Sequence, residues 1–460
     1  MSESQALIKV AVCNVAQLLS SKRIKTEDQR YIQGQLSIPE YQRPYVWGEK
    51  QIDKLIEDLK DHQEQFTNSP YYLGSVILHA QDECLNIIDG QQRLTTLALL
   101  GYLNSELDDV SLTYQASLSI QHIKQNLQYL EKVRSKWEDY INFENIVVSL
   151  VVTESEDDAY KFFETQNTGG VRLTGPDIIK AHHLRAIPEP YRNHYAKEWE
   201  DLGELQGIVM TLLRGRYWNS LKGRAVPFYQ EKQKIRDEVV DEFANRTLKH
   251  QDDVAYGLMR VTYTPMEKQA KQDLQNSYQL RQPLNEGINS ISYMEYFQNL
   301  YCKYYKDLKV SYLPEYAKFI DWLKKLEGCR FLEELFVTGL MLYLSQFGEY
   351  KLDVFAKKFF RVAYSKRVSN KKAVRADSIP EFLREHKVLD HIAYGFTAEQ
   401  VFESLDCFDL KVDEDGLNEN TVKRHFVEET NKYFELGIRS AQYAERFADQ
   451  LSQKIRKLGE

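Results

Sequence analysis

The chain has 460 residues, enough for two or three domains that bury cores without disulfide staples. Its 60 Lys and Arg against 68 Asp and Glu leave a formal charge of −8, which excludes a polycation that coats nucleic acid and confines any such binding to a local patch. A hydrophobic content of 43% with 12% aromatic excludes a disordered chain, and a mean hydropathy of −0.53 excludes a multispan membrane protein.

The amino terminus carries an apolar stretch, but Lys9 and Gln17 interrupt it and its positive charges follow it, so export is not expected. Ile52, Leu55, Ile56 and Leu59 recur at i, i+3, i+4 and i+7 and predict an amphipathic helix just after Trp47-Gly48. Two β-rich runs follow, Tyr71 to His79 and Cys84 to Ile88, read as a hairpin or as adjacent strands. The second ends in DGQQR, after which Leu94, Leu97 and Ala98 open a helix that Gly101 is expected to keep short. Ile146 to Val152 predicts a further strand, and the acidic turn Glu154 to Asp158 opens a helix carrying Tyr160, Phe162 and Phe163, with Gly169-Gly170 as its stop. Thr174-Gly175-Pro176-Asp177 has the pattern of a helix start leading into Ile178, Ile179 and Leu184. Beyond residue 190 the spacing is almost entirely helical, with blocks at 319–326, 332–347 and 422–434. The fold class is therefore α/β or α+β over residues 1–190, followed by a mostly α-helical region over 191–460 that can divide into two sub-bundles.

The segment Asp89-Gly90-Gln91-Gln92-Arg93 stands where a buried strand gives way to a helix. Glycine permits the sharp turn, and the free N–H groups of a helix start would converge with two carboxamides and a guanidinium on one small volume, an arrangement suited to a phosphate. Asp89 beside it could hold a divalent cation or orient a water, as acids do in phosphoryl transfer. The bland alternative is an ordinary strand, turn and helix in which Asp89 caps the helix and pairs with Arg93. Upstream, Ile38 to Trp47 packs two prolines, Arg43 and three aromatics into ten residues, a rigid loop that could wall a base and its phosphates. Tyr45 and Trp47 fit equally as anchors onto the core, which leaves Arg43 as the functional candidate.

Four ordered motifs, IPEYQRPYVW, LGSVIL, IIDGQQRLTTL and FFETQNTGGVRLTGPDIIKAHHL, resemble the amino-terminal domain of GmrSD-type restriction enzymes. The resemblance covers about the first 185 residues and implies a domain like those of ParB and sulfiredoxin, with DGQQR at the phosphate-binding position. It implies catalytic roles for Asp89, Gln91, Gln92 and Arg93 and a nucleotide site of Gln42, Arg43, Gly90, Arg93 and Thr95, with hydrolysis of a nucleoside triphosphate and magnesium at Asp89. Asn167, Gly170, Leu173, Asp177 and Lys180 match a further family pattern that is expected to fix the helix turn beside the pocket. Full-length members usually add a carboxy-terminal His-Asn-His nuclease. His386, His391 and His425 stand apart here, without the His-x-x-Pro run or a later paired histidine, so no nuclease activity is expected of this chain alone.

His182-His183 is a poor metal pair, since helix neighbours point about 100° apart, and both are expected on a helix surface. Lys357 to Arg375 holds eight basic residues and no acid, with Phe359, Phe360 and Tyr364 interleaved. Lys357, Lys358, Arg361, Lys366, Arg367, Lys371, Lys372 and Arg375 are candidate DNA contacts, against the alternative of a solvated helix face. Arg214, Arg216, Lys222 and Arg224 form a smaller group around Tyr217 and Trp218. Five scattered cysteines without a CxxC pair fit the reducing cytoplasm.

The expectation is a cytoplasmic prokaryotic defence component that binds and hydrolyses a nucleoside triphosphate, contacts DNA and works with a separately encoded nuclease or other effector, without a membrane. Self-association is left open. Two rival readings stand beside it: a scaffold with a structural DGQQR pocket, and a nuclease with an unconventional site in the helical half.

Overall fold

The computed structural model describes residues 8–66, 69–104, 112, 114, 117–156, 158–159, 162, 175–220, 232–264, 269–274, 278–371, 373–419 and 421–458. The chain divides into two compact units, Met1–Leu173 with Glu189–Glu200, and Thr174–Pro188 with Asp201–Glu460. The helix Gly175–Ala186 belongs to the second unit, and Glu189–Glu200 of the helix Glu189–Asp201 to the first.

In the first unit the strands are β1 (Ile8–Asn14), β2 (Ile24–Lys25), β3 (Tyr31–Ile32), β4 (Gln35–Ser37), β5 (Tyr71–Gln81), β6 (Cys84–Asp89) and β7 (Ile146–Thr153). Its helices include α1 (Val15–Leu19), α2 (Glu49–Gln65), α3 (Gln91–Asn104) and α4 (Ser117–Lys132). Five of the strands form a mixed sheet in the order β1-β7-β5-β6-β4. β5 pairs with β6 antiparallel and with β7 parallel, so the expected hairpin forms, its turn reduced to Asp82-Glu83 with Asp82 at φ +54°. The β-branched stretch Ile146–Val152 alternates Val147, Ser149 and Val151 with the buried Ile146, Val148, Leu150 and Val152, as a strand packed on one face requires.

α2 buries the four residues that its spacing singles out, Ile52, Leu55, Ile56 and Leu59. Each aliphatic side chain so removed from water contributes roughly 1.5–3 kcal/mol. α3 corrects the sequence reading: it runs through Gly101 to Asn104, and ten of its residues are buried. A helix enclosed on most sides carries little amphipathic pattern, so Gly101 serves close packing rather than termination. The expected helix after Glu154 and its Gly169-Gly170 stop lie mostly outside the described residues, as do Asn167, Gly170 and Leu173.

The second unit is mostly helical. Its centre is the helix Arg330–Phe347, buried from Leu335 through Phe347, where Gly339 lies so close to the Phe359 ring that a Cβ there would overlap it. Helices Pro314–Leu323, Leu352–Ala363, Val422–Tyr433 and Tyr443–Arg456 enclose an aromatic core, with Phe319, Phe360 and Phe434 within 5.8–6.4 Å of one another by ring centroid. The helical expectation missed one element, an antiparallel hairpin of β8 (Met259–Thr264) and β9 (Gln269–Leu274). Among the described residues no helix is long and apolar enough to cross a membrane.

Candidate functional site

The candidate site begins at the carboxyl end of β6. Gly90 adopts φ +98°, and a Cβ there would come within 2.9 Å of Val76, so glycine is required by both conformation and space. The chain then enters α3, whose first intrahelical bond runs from Leu94 N–H to the Gly90 carbonyl at 2.9 Å. The N–H groups of Gln91, Gln92 and Arg93 precede that bond and have no carbonyl partner within the helix. A 14-residue helix adds a partial positive charge at this end.

Arg93 turns back along the helix onto the sheet. Its guanidinium donates to the Leu73 carbonyl at 3.1 Å, to the Ser75 carbonyl at 2.9 Å and to Asp89 Oδ2 at 3.2 Å. These carbonyls flank Gly74, which has φ +115° at a shift in the β5–β7 register, so both are presented to one cation. A Cβ on Gly74 would lie 2.5 Å from Arg93 Nη1. The lone glycine inside the β-rich run was the available sequence signal for this bulge.

Gln92 is likewise committed. Its Oε1 accepts from the N–H groups of Val46 at 3.0 Å and Trp47 at 3.3 Å, while Nε2 donates to the Pro44 carbonyl at 3.0 Å. The aromatic loop is thus fastened to α3, and Tyr45, fully buried, joins Thr96 Oγ1 at 2.9 Å and Asn126 Nδ2 at 3.0 Å. Gln42 donates to the Ile88 carbonyl at 3.0 Å, next to Asp89. Thr95 is buried and donates to the Gln91 carbonyl at 2.7 Å, with its hydroxyl also meeting that of Tyr114, so the expected nucleotide contact from Thr95 is corrected to an internal one.

Three groups remain uncommitted. Gln91 is 5% exposed, and its one polar side-chain neighbour among the described residues is the Tyr114 hydroxyl, which is itself bonded to Thr95, so its amide oxygen and nitrogen make no well-formed hydrogen bond there. Leaving such a buried polar atom unpaired costs about 1–3 kcal/mol. Burial holds the Tyr114 phenol well above its ordinary range, so it stays a neutral O–H. Asp89 has one carboxylate oxygen on Arg93 and the other with no hydrogen bond among the described residues. Arg43 is half-buried and makes no hydrogen bond or ion pair among them.

Elsewhere the structure reassigns several candidates. Lys357, Lys358, Arg361 and Arg367 are buried rather than arrayed on a solvated helix face, and Lys358, Arg361 and Arg367 are engaged internally. Lys358 pairs with Asp406 at 2.6 Å, Arg361 donates to the carbonyls of Phe408 and Leu405 and to Ser452, and Arg367 donates to the Gly328 carbonyl. Helical spacing in Lys357 to Arg375 thus turns half of the basic run inward, where carbonyls and an acid meet Lys358, Arg361 and Arg367. Lys366, Lys371 and Arg375 reach solvent, Lys371 at 3.6 Å from Asp415, and Lys372 lies outside the described residues. Arg216 is also buried, against Glu242 at 2.6 Å, and Arg214 pairs with Glu334 at 3.0 Å, whereas Lys222 and Arg224 lie outside the described residues.

His183 is not on a helix surface but wholly buried, bonded to the Phe243 carbonyl at 2.7 Å and to Gly287 N–H at 3.3 Å. Burial, with His182 alongside, depresses its pKa to about 3. The second ring of the pair, His182, stands edge-on at 5.0 Å. Among the described residues no group of three or more His, Cys, Asp or Glu side chains gathers as a metal cage would.

The sequence profile of the GmrSD restriction endonuclease, N-terminal domain, matches residues 15–184. A second, described as a family of unknown function (DUF7834), matches residues 191–424. No curated protein matches the chain.

Proposed function

Because the chain belongs to the DUF7834 family and carries a GmrSD restriction endonuclease N-terminal domain, a restriction-type module, we propose that it is a cytoplasmic defence component that binds and hydrolyses a nucleoside triphosphate at the start of α3. The observation that carries this reading is the pairing of a buried Gln91 carboxamide, met only by the Tyr114 hydroxyl among the described residues, with the N–H groups of the same helical turn that have no carbonyl partner within the helix, beside the open oxygen of Asp89. In this reading the N–H groups and Arg43 receive phosphate oxygens, and Gln91 completes its hydrogen bonds on the ligand. Arg93 and Gln92 do not touch the ligand through their side chains. Arg93 orients Asp89 and ties the turn to β5, and Gln92 holds the aromatic loop.

One carboxylate with a free oxygen suits magnesium, which is commonly held by one or two carboxylates together with the substrate's own phosphates. When bound, that ion would neutralise charge developing on the phosphates. Asp89 would hold it or orient the attacking water.

Contact with DNA and action with a separately encoded effector rest on the family; Lys366, Lys371 and Arg375 are the basic residues of the run that supply solvent-facing charge. The commitment of Arg93 and Gln92 to internal bonds favours one rival, a scaffold in which the pocket is structural. Phosphate release measured with each nucleoside triphosphate separates the two. The proposal expects activity that falls at least about 100-fold in Asp89→Asn and clearly in Arg43→Gln and Gln91→Leu, the scale of losing a charged or positioning group at a reacting centre. Equal background in all four proteins establishes the scaffold instead.

A further inference from the structure

Helices Pro314–Leu323, Leu352–Ala363, Val422–Tyr433 and Tyr443–Arg456 line an open-mouthed cavity of about 520 Å³ within the second unit. Each contributes one lysine to its lining: Lys318, Lys357, Lys432 and Lys454. Lys357 is only 9% exposed, and among the described residues its ammonium has a single distant partner, Asp353 at 3.8 Å. A buried cation needs closer compensation than that. The other three lysines are exposed at the rim and make no ion pair among the described residues.

Glu315, Glu429 and Glu435 also line the cavity, and their carboxylates make no hydrogen bond or ion pair among the described residues. They weigh against a bare anion, which they would repel, and in favour of a ligand that carries hydroxyl or amino donors as well as negative charge. Trp322 and Tyr433 lie in the same lining, stacked at 4.3 Å with 23° between their planes, and offer an aromatic wall. The volume lies in the range of small-molecule sites, about 300–1,000 Å³.

We propose that this cavity binds a nucleoside phosphate unit: its phosphate against Lys357 and the rim lysines, its hydroxyl or amino donors on the glutamates, and its planar ring along the Trp322–Tyr433 wall. This explains why Lys357, in a run that reads as a DNA-binding stripe, is drawn inward to a cavity while its neighbour Lys358 is neutralised by Asp406. The unit can be a free nucleotide or one nucleotide of a strand.

The test is calorimetric titration of the full chain in an Asp89→Asn/Arg43→Gln background, with the four ribonucleoside monophosphates, a short single-stranded oligonucleotide and inorganic phosphate. At least one monophosphate or the oligonucleotide should bind more tightly than inorganic phosphate; the free nucleotide or the strand is then the source, according to which of the two binds. Lys357→Met should weaken that binding about tenfold or more, the scale of one charge-assisted contact. Lys454→Gln, at the exposed rim, should weaken it several-fold with an unchanged thermal melt, so a folding defect in the first variant cannot mimic the result. Binding no tighter than that of inorganic phosphate, or affinity unchanged in both lysine variants, overturns the proposal.

Discussion

Gly74→Ala is the sharpest probe of how β5 and α3 are held together. At φ +115° an L-residue carries roughly 1–2 kcal/mol of backbone strain. The new Cβ would also sit 2.5 Å from Arg93 Nη1, too close for the guanidinium to remain on both the Leu73 and Ser75 carbonyls. Losing one such charge-assisted bond costs about 1.5–3 kcal/mol, so the substitution should destabilise the first unit by about 2.5–5 kcal/mol. Urea unfolding, with hydrogen exchange of the β5 and β7 amides to follow this unit by itself, measures the loss. Arg93→Lys removes the fork that spans two carbonyls and Asp89, so the two substitutions share one interaction. A double-mutant cycle should return a coupling of at least about 1 kcal/mol. Additivity within about 0.5 kcal/mol, or a Gly74→Ala cost below about 1 kcal/mol, would refute the claim that this glycine exists to admit the arginine.

His183 predicts a pH dependence in the second unit. Its folded pKa, about 3, lies below the ordinary 6.5, because burial disfavours the charged ring; its contribution is therefore complete above about pH 6.5 and is lost as pH falls toward 3. Within that window the loss approaches about 1.4 kcal/mol per pH unit, and His183→Gln should show a correspondingly flatter stability profile in parallel denaturation series. Arg216→Met takes from Glu242, which is 1% exposed, its 2.6 Å guanidinium partner and leaves the longer 3.5 Å contact to Arg246, so it should cost up to about 3–5 kcal/mol, whereas Arg216→Met/Glu242→Leu should recover part of it. Calorimetric unfolding of the three proteins checks the order.

Periodicity was legible where one face meets water and the other a core. The i, i+3, i+4, i+7 set on α2 and the alternation of β7 both mark buried faces that the structure confirms. It misled where an element is enclosed. α3 has apolar residues on most sides, so Gly101 looked like an end. The hairpin β8–β9 was hidden in a region whose other segments are helical.

The residues of the candidate site were visible as a motif, Asp89 to Arg93 behind a β-rich run, because a strand, a glycine and a helix start are consecutive in the chain and need no distant partner to be recognised. What each side chain does was decided by contacts 18 to 48 residues away, from Arg93 to the Leu73 and Ser75 carbonyls and from Gln92 to the loop at Pro44. The same holds for Lys357 to Arg375, where charge is countable in the sequence but its direction is not. A guanidinium or ammonium group donates to water, a phosphate or a carbonyl with the same chemistry, and only the packing of the surrounding helices determines which of these it meets.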